Sequence, residues 1–225
     1  MDTPFVFLLT KNAANLRRLR QVLETTGFSI ISCCSTGALL CSCSRGNGCV
    51  VIHSTEFSPE EISKIVRELR MAGFSHAVLL AEQSPSFARA RIFQKLPVCD
   101  YFQFNTSPKI LQDILKNAFS WTRTQGKRHV LQFHLRQTWE ELDPTLQTIL
   151  RHLYQGATNR DIAEQMAVSM RVVEHRRKKL QEAFGVGTFA ELIRIATEIL
   201  DEEIIPPSAL HQNQSVSLER FSTPL

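Results

Sequence analysis

The sequence predicts an α/β domain with a doubly wound, five-stranded parallel sheet, followed by an all-α helix-turn-helix domain. Two observations predict this order. In the first half, five short apolar runs alternate with helix-like segments, and continuous apolar strands are typical of a parallel sheet covered on both faces. In the second half, two capped helices are joined by a tight turn. A chain of 225 residues is long enough for two modest domains, each with its own core.

Residues 1–121 contain the elements of the predicted α/β domain. The apolar runs predict strands at Phe5–Leu9, Phe28–Cys34, Cys49–His53, His76–Ala81 and Asp100–Phe104. The intervening and following segments predict helices at Ala13–Thr26, Thr36–Cys43, Pro59–Met71, Ser86–Lys95 and Pro108–Trp121. Gly27 and Gly73 end two of these helices, because glycine readily adopts the left-handed conformation of a helix C-cap. The alternation predicts helices on both faces of the sheet.

Residues 122–138 are expected to form a basic linker. The segment contains no acid and carries the cations Arg123, Lys127, Arg128 and Arg136. Two interpretations stay open: a flexible, solvated tether, or a segment that adds salt-sensitive contacts to phosphates. Residues 204–225 are rich in Ser, Gln and Pro without a periodic apolar pattern, and we expect them to form a disordered tail.

Residues 139–203 are predicted to form the helix-turn-helix domain. Thr158 or Asn159 supplies an N-cap oxygen for a short helix with acids in its opening turn. Ser169 is a second N-cap and starts a longer helix, which ends at Gly185. A capped short helix, a tight turn and a longer helix are the arrangement in which the second helix enters the major groove of DNA.

The longer helix has two different faces. Val173, Leu180 and Phe184 form one apolar stripe, with the stem of Arg177 between them. The outward residues are then expected to contact base edges; they are Arg171, Glu174, His175 and Lys178. Phosphate contacts are expected from Thr158, Asn159, Arg160, Arg176 and Lys179. A solvated cationic face is the alternative, but the preceding capped helix favours DNA binding.

Leu142–Ala196 resembles the LuxR/FixJ-type DNA-binding domain of response regulators. The resemblance covers four helices, here LDPTLQTILRHLYQG, NRDIAEQMAV, SMRVVEHRRKKLQEAFG and TFAELIRIATEIL. The matching positions are Asn159, Ile162, Ala163, Ser169, Val173, Glu174, Leu180 and Gly185. Three departures lie at Leu146, where the family has Glu, at Val172, where it has Thr, and at His175-Arg176, where it has Val-His. They alter the face that would read the groove.

Residues 1–121 resemble a receiver domain of the flavodoxin-like type, mainly through the strand pattern. Every signature position differs, which implies a degenerate phosphoacceptor pocket. Thr10, Lys11 and Asn12 replace the acidic cluster that holds a divalent cation. His53 replaces the phosphoacceptor Asp, Ala81 the Ser or Thr, and Phe104 the Lys. With Asp100 as the only acid near a strand, we expect a pseudo-receiver, meaning a receiver-like domain that binds no magnesium and is not phosphorylated.

His53 and the cysteines leave alternatives open. His53 fits a hydrogen-bonded strand end, a phosphohistidine, a pH-sensitive group, or a metal ligand together with Cys49. The six cysteines are Cys33, Cys34, Cys41, Cys43, Cys49 and Cys99. Five of them lie within seventeen residues but without paired Cys-x2-Cys spacing. We expect small apolar thiols in a reducing cytosol, with a metal or redox sensor as the alternative.

The remaining features exclude some functions and suggest partners. The sequence shows no signal peptide and no apolar stretch long enough to span a bilayer, which predicts a cytoplasmic protein. It shows no nucleophile–base pair, so we expect neither an enzyme nor a cofactor. The mild net charge of +4 permits double-stranded DNA as a partner. RNA polymerase or another regulator would be a further partner.

The resemblance also implies a homodimer. Receivers of this type pair through the last two helices and the strand between them, here Ser86–Trp121, where Phe87, Ile92 or Phe119 would fit the role. The expected function is a sequence-specific, DNA-binding transcription regulator that acts independently of Asp phosphorylation. The alternative is a protein–protein adaptor in which the pseudo-receiver and the helix-turn-helix are docking surfaces.

Overall fold

A five-stranded parallel sheet forms the centre of the first unit. The computed structural model describes residues 4–83, 91 and 95–204. The strands are β1 (Phe5–Leu9), β2 (Ser29–Cys33), β3 (Gly48–His53), β4 (Ala77–Glu82) and β5 (Asp100–Gln103). Their order in the sheet is β2-β1-β3-β4-β5, and all the paired strands are parallel. This is the flavodoxin-like, doubly wound order, and the predicted fold class is confirmed.

Two apolar cores cover the two faces of this sheet. The described helices are α1 (Ala13–Glu24), α2 (Thr36–Cys43), α3 (Pro59–Met71) and α4 (Pro108–Thr124). Side chains of α2 and α3 pack on one face with Phe7, Val50 and Leu80. Side chains of α1 and α4 pack on the other face with Leu8 and Leu79. Strands β3 and β4 are buried along their whole length. The polar residues at their ends, His53 and Glu82, therefore lie beside the apolar cores.

The second unit is a helical bundle around one core. Its helices are α5 (Gly126–Glu141), which begins in the first unit, α6 (Pro144–Tyr154), α7 (Asn159–Gln165), α8 (Met170–Phe184) and α9 (Phe189–Ile204). Asp143 caps α6, with a proline in the first turn. The buried core combines α5 through Trp139 with residues of all four following helices. Hydrophobic residues recur at helical spacing in this unit, which explains why its described residues form helices and no strands.

The segment 122–138 is helical apart from Gln125, unlike the flexible tether that is one of the two interpretations of its sequence. Helix α4 continues to Thr124, and α5 begins at Gly126. A Cβ on Gly126 would overlap the carbonyl oxygen of Ser75, so glycine here permits a close approach to the sheet and is not a flexible break. The Thr122 hydroxyl accepts from Ala77 N at 2.8 Å and lies 3.0 Å from Gly48 O. These contacts fix the end of α4 against the amino ends of the strands.

Three predictions fall on residues that the structure does not describe. The predicted helix Ser86–Lys95, apart from Arg91 and Lys95, lies outside the described residues, as do the pairing residues Phe87 and Ile92 and the tail from residue 205. Phe119, the third pairing candidate, is half-buried and packs edge-on against Phe28 at 4.9 Å between ring centroids. It therefore contributes to the core. Among the helices that are described, none is long and apolar enough to cross a membrane.

Candidate nucleic-acid interface and strand-end pocket

Helix α7 begins with a capping box. Asp161 N donates to Thr158 Oγ1 at 3.3 Å, and Thr158 N donates to Asp161 Oδ2 at 2.8 Å. The Thr158 hydroxyl also lies 2.7 Å from the same carboxylate oxygen. Thr158, predicted to anchor a phosphate, therefore already uses its side chain as the N-cap. Asn159 is half-buried beside it, and Arg160 is exposed with its Nε 3.2 Å from Glu164 Oε1.

The turn between α7 and α8 contains a residue that the sequence analysis missed. Ala167 has a φ of 51°, in the left-handed region that favours glycine. Its neighbour Val168 donates from its backbone N to Ala163 O at 3.0 Å. Ser169 Oγ then accepts from Val172 N at 3.4 Å and caps α8. The turn thus sets the direction of α8 through one strained residue and one cap, and alanine gives no sequence signal for that conformation.

The inner face of α8 is as predicted. Val173 and Leu180 are fully buried, and Phe184 packs partly buried against the same core. The Arg177 guanidinium lies 5.3 Å from the centre of the Phe189 ring, so its stem covers apolar surface while its charge stays near water. The helix ends at Gly185, whose φ of 65° makes it a left-handed cap. This packing fixes which residues of α8 face outward.

The outer face of α8 carries exposed polar and charged side chains. Arg171, Glu174, His175 and Lys178 are all exposed and recur every three or four residues, so they share one side of the helix. Lys178 Nζ is 3.9 Å from Glu182 Oε1, and both side chains are largely exposed. Such surface pairs contribute little to stability and exchange readily for other partners. This side of α8 can therefore present cations to an anionic ligand.

Two further predicted phosphate ligands differ from each other. Lys179 is exposed, whereas Arg176 is half-buried. Hydrogen bonds from Thr145, together with the charge of the nearby Arg176, lower the pKa of the Asp143 carboxyl. Arg176 thus already interacts with an acid of its own unit. Of the two, Lys179 is the one whose charge is fully available to a phosphate.

The second candidate site is a pocket at the carboxyl ends of the strands. Thr10 and His53 are almost completely buried there. His53 pairs in register with Ala81, and its ring lies edge-on to Phe104 at 5.3 Å. His53 Nδ1 is 3.0 Å from Thr55 Oγ1. The structure therefore brings together the strand-end positions that the sequence analysis singled out, whereas Lys11 and Asn12 lie at the exposed rim.

A carboxylate lies at this pocket, which corrects the prediction that it contains none. Glu56, in a 3₁₀ turn (Ser54–Glu56) after β3, accepts hydrogen bonds from the β1–α1 turn and from α1. The Thr10 hydroxyl lies 2.8 Å from both of its oxygens, and Lys11 N, Asn12 N at 3.1 Å and Asn15 Nδ2 at 2.7 Å donate to it. Glu56 thereby ties the end of β3 to the end of β1.

The charges around Glu56 are balanced within the chain. Burial alone would raise the pKa of the Glu56 carboxyl. Hydrogen bonds from Asn15, Thr10 and Lys11 N, together with the nearby His53, lower the pKa by more than burial raises it, so it lies below the ordinary value of 4.5. Lys11 Nζ is 2.7 Å from Glu61 Oε1 and 4.3 Å from the centre of the Phe57 ring. The Lys11 charge is therefore compensated by a second carboxylate that the sequence analysis also missed.

The Glu56 oxygens already accept hydrogen bonds from within the chain. Magnesium requires oxygen ligands directed at the ion, whereas N–H and O–H donors converge on the Glu56 oxygens. Glu82, the buried last residue of β4, is a further acid near a strand end, so Asp100 is not the only one. Among the described residues, no group of three or more His, Cys, Asp or Glu side chains could hold a metal ion.

Residues 142–196 match the family model of bacterial regulatory proteins, luxR family. This segment is a luxR-family helix-turn-helix domain. A curated relative, the tetrathionate response regulatory protein TtrR of Salmonella typhimurium, is 26% identical over 190 residues, which cover 84% of this chain and 90% of the relative.

Two solved structures show similarity along most of the chain. Full-length FixJ from B. japonicum is 18% identical, with a TM-score of 0.45, and covers 89% of this chain and 99% of its own. RcsB in a complex with DNA is 12% identical, with a TM-score of 0.42, and covers 88% of this chain and 100% of its own.

Within the luxR-family domain, the departures from the family pattern lie in two environments. Leu146 packs partly buried against the core of the bundle, and Val172 is half-buried on α8. His175 is fully on the exposed side, and Arg176 lies beside it. The changes at 146 and 172 therefore concern packing, whereas the change at 175 alters the chemistry of the face that would meet DNA.

The cysteines of the first unit do not form one cluster. Cys33 and Cys43 lie in the core on one face of the sheet and Cys49 in the core on the other, whereas Cys34 and Cys41 are exposed. Burial raises the pKa of Cys43 to about 12 and that of Cys99 to about 11. Raised pKa values keep these thiols protonated and unreactive. Four residues of strand, about 13 Å, separate Cys49 from His53, so the two cannot bind one metal ion.

Proposed function

We propose that the protein is a sequence-specific, DNA-binding transcription regulator that acts as a dimer and is regulated independently of aspartate phosphorylation. The observation that carries this proposal is the exposed side of α8, which presents Arg171, Glu174, His175 and Lys178 within a luxR-family domain. A helix of this kind fits the major groove, where side chains contact base edges. The name of the relative TtrR, a response regulatory protein, agrees with a regulatory role.

Different residues of α8 and of the start of α7 are proposed to have different roles. Arg171, Glu174, His175 and Lys178 would contact base edges, and each good contact would contribute roughly 1–3 kcal/mol of discrimination. Lys179 would contact phosphate, with Asn159, Arg160 and Arg176 as secondary anchors. Thr158 would contribute by starting α7 and positioning Asn159 and Arg160, because its hydroxyl and its backbone N both belong to the capping box. Phosphate contacts hold the protein on any sequence, whereas base contacts select one.

The dimer is proposed from the geometry of DNA. Two recognition helices one helical turn apart match a two-fold symmetric site. Sedimentation of the full-length protein with and without a selected duplex measures the assembly directly. Two chains per duplex would support the proposal, whereas one chain per duplex at saturation would contradict it.

Independence from phosphorylation is proposed from the strand-end pocket. The third strand ends in His53, and the donors of the β1–α1 turn already bind the Glu56 carboxylate. A phosphoryl acceptor and a metal ion are both required for the usual switch. Incubation with acetyl phosphate and magnesium should therefore add no phosphoryl group by mass spectrometry and leave DNA affinity unchanged. A phosphorylated product that binds DNA more tightly would contradict this part of the proposal.

The decisive experiment is selection from a random DNA pool with untreated, full-length protein. Enrichment of a two-fold symmetric motif would support a dimeric regulator that needs no phosphodonor. His175→Ala and Lys178→Ala should then shift the enriched motif, whereas Lys179→Ala should weaken binding to all sequences alike. Equal losses on every sequence for all three variants would contradict the assigned roles. Absence of enrichment, and of any salt-dependent DNA binding, would favour the adaptor instead.

A further inference from the structure

A second cationic surface lies at the amino ends of the strands, in the first unit. It is formed by Arg123 at the end of α4 and by Lys127 and Arg128 in the first turn of α5, all three exposed. We name these three residues the junction cations. None of them forms an ion pair with a carboxylate among the described residues. By contrast, Lys11, Arg20, Arg160 and Lys178 each lie within 4.0 Å of a glutamate oxygen.

The local electrostatics around the junction cations are positive. From Ile114 to Trp139 the sequence has five Lys or Arg residues and no Asp or Glu. The first turn of α5 has no acid, although the amino end of a helix favours negative charge. Buried Arg70 lies 5.9 Å from the centre of the Trp121 ring. It donates to Phe74 O at 2.7 Å and His76 O at 3.0 Å, so backbone carbonyls and not carboxylates accept from its guanidinium. An anion would be favoured at this surface.

The backbone that carries the junction cations is held firmly. Thr122 bonds to the backbone of β3 and of β4, and Gly126 lies against Ser75. The Trp121 and His129 rings contact each other at 4.9 Å across the junction. Arg123 and Lys127 lie on either side of Gln125, the one residue between α4 and α5. A fixed backbone reduces the conformational entropy that the charged residues lose when they bind a partner.

We infer that the junction cations are a second DNA contact, which binds backbone phosphates without reading sequence. This inference rests on the proposed function, because DNA bound by α8 would bring its phosphates close to the same chain. DNA carries one negative charge per about 1.7 Å of helix axis. It therefore complements three exposed cations that fall within six residues of sequence and have no carboxylate partner among the described residues. The other Lys and Arg residues between Ile114 and Trp139, a segment without Asp or Glu, add to this attraction.

The test compares salt dependence in the full-length protein. Each phosphate contact contributes a slope of about 0.9 in log affinity against log salt. Binding to a duplex with the selected motif is measured by fluorescence anisotropy between about 50 and about 200 mM KCl. Over this range the wild type should lose roughly tenfold more affinity than Lys127→Gln/Arg128→Gln, because two contacts correspond to a slope difference of about 1.8.

The control is Arg17→Gln/Arg67→Gln, which removes two exposed arginines of the same unit on α1 and α3. It changes the net charge equally and should leave the slope unchanged. The charge-preserving Lys127→Arg/Arg128→Lys should also retain the wild-type slope. Thermal unfolding by circular dichroism checks that all variants fold.

Two results would overturn the inference: a wild-type slope for Lys127→Gln/Arg128→Gln, or an equal reduction for the control pair, which would indicate bulk charge rather than contact. Both leave the proposed function intact. A wild type that shows no salt-dependent DNA binding would instead overturn the proposed function.

Discussion

The strand-end pocket and the outer side of α8 use polar groups in opposite ways. In the pocket, donors of the β1–α1 turn and of α1 point to one internal carboxylate, Glu56. On α8, the side chains of Arg171, His175 and Lys179 are exposed to solvent. Internal hydrogen bonds stabilise a conformation, whereas exposed donors are available to a partner. We therefore propose that the polar groups of the pocket contribute to stability, whereas those on the outer side of α8 contribute to binding.

The largest effect is expected at Glu56. Glu56→Ala should lower the stability of the first unit by about 2–4 kcal/mol, because several hydrogen bonds to a charged group are lost and the buried Thr10 hydroxyl loses this acceptor. Hydrogen exchange of the β1 and β3 amides measures this locally. The matched control is Glu24→Ala, which removes the exposed partner of Arg20 on α1 and should cost less than about 1 kcal/mol. Equal costs for both variants would show that Glu56 is an ordinary surface acid.

The same contribution should depend on pH. Because the pKa of Glu56 is lowered in the folded protein, its stabilisation is fully present above the ordinary value of 4.5 and is lost as the pH falls through the lowered folded value. The stability difference between wild type and Glu56→Gln should therefore shrink below about pH 4.5. Urea unfolding of both proteins from about pH 7 to about pH 3 measures it. A difference that grows with acidity would contradict the assignment.

A smaller effect is expected in the turn before α8. Ala167→Gly should raise the stability of the luxR-family domain by up to about 1 kcal/mol. A left-handed alanine costs roughly 1–2 kcal/mol, while glycine returns part of this as backbone entropy in the unfolded chain. Hydrogen exchange of α7 and α8 measures the change. Destabilisation would mean that the alanine methyl group contributes packing that outweighs its strain.

The smallest effect on stability is expected on the outer side of α8. Arg171→Ala and Lys178→Ala should change the free energy of unfolding by less than about 0.5 kcal/mol, although each should weaken binding to the selected DNA by roughly 1–3 kcal/mol. Thermal unfolding and anisotropy titrations of the same samples separate the two quantities. A stability loss above about 1 kcal/mol would show that these side chains help to hold the fold.

The elements that the sequence predicts well are those with local causes. The strands β1 and β3 are continuous apolar runs, and Ser169 and Gly185 cap α8 through bonds to neighbouring residues. Such signals need no knowledge of the tertiary structure. The inner and outer sides of α8 follow from the same periodicity, which is why the predicted burial of Val173 and Leu180 is confirmed.

The parts that the sequence analysis missed depend on contacts between distant residues. Glu56 lies three residues beyond the end of β3 and reaches Thr10, 46 residues away in sequence. An analysis of strand-end positions alone could not find it. Gly126 resembles a helix breaker in sequence, and only its contact with Ser75 shows why glycine is required. The polar residues Thr10, Asn12 and Asn15 were a weak sequence signal that an anion lies at the β1–α1 turn.

Glu56 also limits which side chains position 53 can hold. Its carboxylate is 3.7 Å from His53 Nδ1, so an aspartate at position 53 would meet a negative charge already in place. One of the two acids would then be driven to its neutral form, and the turn would lose an acceptor that its donors require. An acid at position 53 is therefore compatible with this turn only if residue 56 changes as well.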